Sequence, residues 1–354
     1  RTAPPRIHPR RMHIETTTPG AVREWDDFVN AHPRGTLYHQ KTWQDVSGKV
    51  FGHPTEHFIA RNKAGVLCGV LSVIRLRSPL FGHFGVSLPY VNFGGALGDS
   101  EHEESALMAA AVGSLQKAGV SHVEFRDSVQ RDSDLPHRTD KVCMELPLPE
   151  SEEAFLSAIG SKLRSQAKRA MREGATIRHG GLELVPAFYE VFARNMRDLG
   201  TPVYSPRLFK ETANAFPEQA RVSVVFVENE PAAAGFTLDF KHRTEIPWAS
   251  ALRKFNRLSV NMMLYAEIIK DAIRRGQHVF DFGRSTIDAG TYRFKKQWGA
   301  HPNQLYWYYW LKHGTSLPGL NPDNPKYALA IKAWRKFPLP IANSLGPHIV
   351  RFLP

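Results

Sequence analysis

Two short segments in the last quarter of the chain set charged side chains between aromatic ones. In "FDFGRS", Asp281 lies between Phe280 and Phe282, and Arg284 follows Gly283. Alternation along a strand turns Asp281 away from both phenylalanines. A carboxylate held there has two readings. It takes a proton as a general base, or it pairs with Arg284 or Lys295 in a buried ion pair that fixes the strand end. Gly283 and Ser285 make a turn whose backbone amides can hold an anion. Shortly after, "YRFKKQWG" places Lys295 and Lys296 behind Phe294. As ordinary helix residues these lysines are solvated. Aimed at a developing oxyanion in a water-poor cleft, one such charge supplies several kcal/mol.

A third charged stretch, "SKLRSQAKRAMREG", carries Lys162, Arg164, Lys168, Arg169 and Arg172. Positions 164, 168 and 172 are four apart and line one face of a helix. That face is either solvated or a seat for phosphate on a nucleotide, tRNA or lipid carrier. Further on, Asn256, Ser259 and Asn261 open a helix. They can bind phosphate or the acceptor at its N-terminus, while Ser259 also suits a plain N-cap. Trp248 in "EIPWAS", Tyr204 after "GTPV", and Tyr292 are aromatic candidates for a cleft lining, with core packing as the other role. "YWYYW" (306–310) suits a core strand, or a stacking surface for a base or sugar.

Several chemistries are excluded by pattern. Neither Cys68 nor Cys143 sits in a zinc spacing, two cysteines cannot make a disulfide scaffold, and no HExxH occurs. No metal is expected. No G-x-S-x-G elbow or Ser-His-Asp order suggests a covalent intermediate. No apolar run is long enough to span a bilayer, and the first 20 residues lack a signal-peptide core. A cytoplasmic protein is expected.

The elements that would carry these residues come in a repeated order. Helices are predicted over 21–30, 36–50 and 101–118, with strands at 57–62, 67–78, 121–127 and 141–148. The second half opens with a basic helix over 152–173. A strand at 176–185, helices at 186–199 and 205–215, and three antiparallel strands within 221–252 follow. A helix over 259–275, a strand at 278–283, a helix near 288–298 and the strand 304–311 complete it. Each half reads as helix, hairpin, helix, strand, which predicts an α/β protein with mixed sheets. The expected domains are 21–150 and 151–312. A disordered basic extension (1–20) precedes them, and a Pro-rich tail (313–354) with an amphipathic helix over 326–336 follows. The 354 residues carry a formal charge of +12, and it is uneven: residues 1–13 hold +4, 161–178 hold +5 and 324–354 hold +5. Localised charge favours a phosphate-bearing donor or carrier over broad nucleic-acid binding, and no DNA partner is expected. The tail helix either docks on the body or meets an anionic membrane through residues 326–351.

The stretch "NRLSVNMMLYAEIIKDAIRRGQHVFDFGRSTIDAGTYRFKKQWG" resembles the C-terminal half of FemAB-type aminoacyl/acyltransferases, closest to those associated with exosortase (PEP-CTERM) and exopolysaccharide systems. "HPRGTLYHQKTW", "YVNFGGAL", "RNMRDLGTPVYSPRLF" and the tail from Asn321 to Pro347 extend the likeness over nearly the whole chain. The resemblance implies two tandem GNAT-like (acyl-CoA N-acyltransferase-like) domains with a C-terminal helical tail. It implies transfer of an acyl or aminoacyl group, from acyl-CoA or aminoacyl-tRNA and without a tightly bound cofactor. The acceptor would be a small-molecule or carrier-linked amine of a cell-envelope or exopolysaccharide precursor. It places Lys295, after Phe294, where such enzymes stabilise the oxyanion. Relatives that use tRNA can carry a coiled-coil arm, and no such heptad run occurs here. The other reading is a non-catalytic protein of the same fold that holds anionic carriers or membrane surface.

Overall fold

The computed structural model describes residues 12–17, 22–318 and 325–353. Most of the expected disordered extension lies outside them. Part of it is ordered, which corrects that expectation: His13–Thr17 form strand β1, antiparallel to β2. The order continues α1 (Trp25–Ala31), α2 (Lys41–Phe51), β2 (Thr55–Arg61), β3 (Leu67–Ser78), β4 (Gly82–Val86), β5 (Leu97–Gly98) and α3 (Glu101–Lys117). Then come β6 (His122–Asp127), β7 (His137–Arg138), β8 (Lys141–Pro147), α4 (Glu152–Ala158), α5 (Ser161–Arg172), β9 (Thr176–Gly180), α6 (Val185–Leu199) and α7 (Pro206–Ala215). The rest is β10 (Ala220–Val227), β11 (Glu230–Phe240), β12 (Arg243–Ala251), α8 (Val260–Arg274), β13 (Val279–Thr286), α9 (Gly290–Lys296), β14 (His301–Gln304), β15 (Tyr306–Leu311), α10 (Pro325–Trp334) and α11 (Leu339–Val350).

Two sheets form the frame. The first has the order β1-β2-β3-β4-β6-β15-β7, with β5 beside β3; the second runs β14-β8-β13-β12-β11-β10-β9. Each contains one parallel pair, β4–β6 in the first and β12–β13 in the second. The sheets do not divide at residue 150. Strand β8 joins the second sheet between β13 and β14, and β15 joins the first between β6 and β7. Alternation explains β8: Val142, Met144 and Leu146 enter the core formed with α5 and α8, while Cys143 and Glu145 face the other way. The halves are thereby stitched together, and the face carrying Cys143 and Glu145 looks into their junction.

The strands β12 and β13 pair only at Arg243–Glu245 against Val279–Asp281. A bulge then interrupts β13 between Asp281 and Arg284. Gly283 supplies the positive φ (+73°) that the bulge needs, which side chains with a Cβ resist. The predicted basic helix is two helices. Ile159 breaks it by turning extended and burying its side chain, and Gly160 starts α5.

The tail packs on the body. Trp334 is buried, Gly346 lies against Val203, and Tyr90 and His53 both hydrogen-bond the Arg351 carbonyl. Among the described residues no helix is long and apolar enough to cross a membrane.

Candidate active site

Lys295 is not a solvated helix lysine. It is buried, and its Nζ donates to the carbonyls of Gly283 and Arg284, both at 2.9 Å. The β13 bulge turns these carbonyls toward α9, and Phe294, edge-on to Tyr265 at 5.0 Å, pins the helix. An ammonium has three donors, so one N–H remains for a third acceptor. Burial lowers the Lys295 pKa to about 8, against the upward pull of Cys143 and Asp281.

Beside it, three carboxyl groups stand in one row across three strands. Asp281 on β13 is in register with Glu145 on β8 and with Glu245 on β12. Asp281 is fully buried. It accepts from the Gly283 N–H (2.7 Å), the Cys143 thiol (2.9 Å) and Arg243 Nη1 (3.0 Å). The same Arg243 nitrogen reaches Glu145. Arg243 is the cation joined to this row, and its pKa is raised, since the two carboxylates outweigh its burial. Glu245 accepts from Asn92 Nδ2 at 3.1 Å and lies beside the buried Tyr38 hydroxyl. Burial, and then the Asp281 charge, push Glu245 up to about 8. Thus Glu245 is the member of the row poised to exchange a proton near neutral pH. Cys143, Glu145 and Asp281 come close enough to share a cation, but the Arg243 guanidinium already binds both carboxylates, so the cluster is an ion-pair site.

A cavity of about 740 Å³ opens onto this row between the two sheets. Tyr38, His39, Arg126, Glu145, Arg243 and Glu245 are among the residues lining it. His39 is no rival base. The Thr36 N–H donates to Nδ1, which leaves Nε2–H to meet the Gly95 carbonyl at 3.1 Å, and burial lowers its pKa to about 4. An acid near pKa 8 at the cavity wall and a buried ammonium with one free N–H are the two groups that acyl transfer to an amine requires.

The other sequence candidates divide. Gly283 offers no open amide, because its N–H is taken by Asp281, and Ser285 is buried within β13; the anion-holding turn is corrected on both counts. Asp281 pairs with Arg243 and not with Arg284 or Lys295. Trp248 belongs to the core, edge-on to Phe209 and Phe236 at 5.1 and 5.6 Å. Tyr204 is half-buried against Phe51 and Tyr90. Tyr292 packs on the core formed with α5 and α8 and under Lys296. Ser259 holds the N-cap position of α8 in a left-handed conformation without a side-chain cap bond, with Asn256 before it and Asn261 after it. Arg164 is spent on the carbonyls of Leu156 and Ile159 at the end of α4, whereas Lys162 and Lys168 are exposed. "YWYYW" is strand β15, with Tyr308 and Tyr309 buried. Sequence reading missed Glu245, Arg243, Glu145 and Tyr38. The available signal was alternation: Cys143 and Glu145 interleave with Val142, Met144 and Leu146, as Asp281 does with its phenylalanines.

Residues 161–296, from α5 to α9, match the family model of the acetyltransferase (GNAT) domain, so the chain carries an acyltransferase domain. No curated protein matches the sequence. Among solved structures, FemX is similar at 14% identity and a TM-score of 0.62, over 84% of this chain and 97% of that one. L-PGS from Bacillus licheniformis is similar at 12% identity and 0.54, over 89% and 97%. A tandem GNAT protein from the clavulanic acid biosynthesis pathway matches at 10% and 0.52, over 86% and 100%. At such identities the likeness establishes the fold: a FemAB-like tandem GNAT fold with mixed sheets. Glu145, Tyr38 and Asn92 lie outside the matched domain, so the first half of the chain completes the site.

Proposed function

We propose that the protein moves an acyl or aminoacyl group from acyl-CoA or aminoacyl-tRNA to an amine by direct attack. The amine would belong to a cell-envelope or exosortase-associated exopolysaccharide precursor. The observation that carries the reading is buried Lys295, held by the Gly283 and Arg284 carbonyls with a third N–H left to give, on the bulged strand whose Asp281 is in register with the cavity-lining acid Glu245. In this reading Glu245 takes the proton of the attacking amine and Lys295 holds the oxygen of the tetrahedral adduct as its charge develops; collapse of the adduct breaks the donor's acyl–sulfur or acyl–oxygen bond, and the proton passes to the leaving thiol or ribose hydroxyl. Burial and the Asp281 charge keep the Glu245 pKa high against the pull of Arg243, and Arg243 holds Asp281 in place.

The test is transfer from acetyl-CoA, longer acyl-CoAs and aminoacyl-tRNA to a panel of amines, read by mass spectrometry, with Lys295→Ala alongside. Loss of one oxyanion donor is expected to lower kcat about 10²–10³-fold. Full activity in a folded Lys295→Ala protein overturns the assignment.

A lipid-carried acceptor is favoured by the tail. Leu329, Ile341 and Leu345 are 70, 46 and 43% exposed, next to exposed Lys332, Arg335 and Lys336, and residues 325–353 contain no acid. Such a surface suits an anionic membrane.

A further inference from the structure

Arg284 leaves β13 on the same face as Asp281, because the bulge restores the register with β8. It crosses to the first sheet, where its guanidinium carbon lies 4.8 Å from the centre of the Trp307 ring on β15. Arg126, opposite Trp307 on β6, lies over the same ring at 4.4 Å. The two arginines differ in every other respect. Arg126 is buried, and its donors are used by Glu124 Oε1 (2.7 Å) and the Val91 carbonyl (2.9 Å). The Arg284 side chain has no hydrogen bond or ion pair among the described residues beyond its aromatic contact. The acids whose charge it feels are each matched already, Glu124 by Arg126 and Asp140 by Lys141.

A planar cation with five N–H donors, held on an indole and left without an acid, is a half-built oxyanion site. Solvent reaches Arg284, yet the protein packed around its head group and the Arg126 charge lower its pKa to about 10. An arriving anion relieves that repulsion. Trp307 Nε1 is also buried without a partner.

We propose that Arg284, braced on Trp307 beside Arg126, binds an oxyanion of the substrate, a carboxylate or a phosphate. The site rests on the transfer reading above for its purpose but not for its existence. The Arg284 carbonyl is itself a ligand of Lys295, so the bound oxyanion lies within one arginine side chain of the reacting carbonyl. In acyl-CoA the long pantetheine arm separates the phosphates from the thioester. The anion seated here therefore belongs to the acceptor, on a group close to its amine, or to the terminal nucleotide of an aminoacyl-tRNA.

The test is binding of inorganic phosphate and of acetate to the full chain, followed by tryptophan fluorescence and thermal melting. Sodium chloride at equal ionic strength is the control. Saturable binding of either anion is expected, the tighter one naming the class. Arg284→Gln should weaken it about tenfold or more, the loss of a charge-assisted contact. Lys168→Gln, on the exposed basic face of α5, should leave it unchanged. Equal binding by Arg284→Gln, or loss in Lys168→Gln instead, overturns the site. So does no saturable binding by the wild type. A folded Arg284→Gln is verified by its melting curve, and Arg284→Lys should restore part of the affinity. Anion binding without transfer from any donor would sustain this site while rejecting the transferase reading.

Discussion

Glu245 and Asp281 face each other in register on the parallel pair β12–β13, two carboxyl groups side by side where burial excludes water. Such neighbours cannot both lose their protons cheaply, and the arrangement loads the cost onto Glu245, raised to about 8 from 4.5. The native state then keeps a proton that the unfolded chain has released. Stability from this group is complete below 4.5 and is lost as pH rises toward 8. The buried histidines His39 and His57, lowered to about 4 from 6.5, act in the opposite direction but only below 6.5. Urea denaturation between pH 6.5 and 8, run alongside Glu245→Gln, reads the carboxyl effect, which Lys295, lowered to about 8, opposes only at the upper end of that window. The wild type is expected to weaken across that window, and Glu245→Gln to show a flatter dependence. An unchanged slope in the variant would place the proton elsewhere.

Catalysis should carry the same signature with a second limb. Transfer needs Glu245 ionised and Lys295 protonated, and both sit at about 8. The profile of kcat/KM against pH is expected to be a bell centred near 8, whose two apparent values belong to the coupled pair. Lys295→Arg keeps the cation at all accessible pH and should remove the falling limb. Glu245→Gln should remove the rising limb along with most of the rate. A profile that rises without limit in the wild type would exclude Lys295 as the required cation.

Much of this frame was legible in the sequence. The hairpins and helices follow from alternation, glycine stops and capping residues, and Asp281 was marked as special by its flanking phenylalanines. The strand exchange was not legible. Strands β8 and β15 carry ordinary alternating patterns, and which sheet each joins is decided by the core its apolar face meets after the chain has folded. Glu245 escaped notice for a related reason. It lies in β12 among Thr244, Ile246 and Trp248, a run that reads as one more core strand. Only register places it beside Asp281, which shares Arg243 with Glu145. Gly283 misled in the opposite sense, because a Gly/Ser turn suggests free amides and here the amide serves Asp281.

Gly95 tests the floor of the cavity. Its Cα lies so close to Asp127 that an added Cβ would meet Oδ1 at 2.0 Å. That carboxylate binds Arg131 through two bonds of 2.7 and 2.8 Å, and Arg131 also reaches Glu104 on α3. All three side chains are buried. Gly95→Ala must displace Asp127 and leave Arg131 partly unpaired, which is expected to cost about 3–5 kcal/mol. Thermal melting should drop by many degrees. A melting point within a degree of the wild type would show that the pair shifts freely.

The tail gives a test that needs no substrate. Leu329 and Lys332 lie three residues apart on α10, and Ile341 and Leu345 four apart on α11, so each helix shows a solvent-facing apolar position on a regular spacing. If these helices meet an anionic membrane, binding combines apolar insertion with attraction to the headgroups. The full chain is expected to co-sediment with vesicles rich in phosphatidylglycerol, weakly with pure phosphatidylcholine, and less as salt rises. Leu329→Ser with Ile341→Ser should reduce the apolar part, and Lys332→Glu with Lys336→Glu should abolish the preference for anionic lipid. Both pairs sit on exposed positions, so melting should change little. Equal sedimentation with neutral and anionic vesicles, or none with either, would reject the membrane reading and leave the tail as a clasp that ties α6 to the first half of the chain.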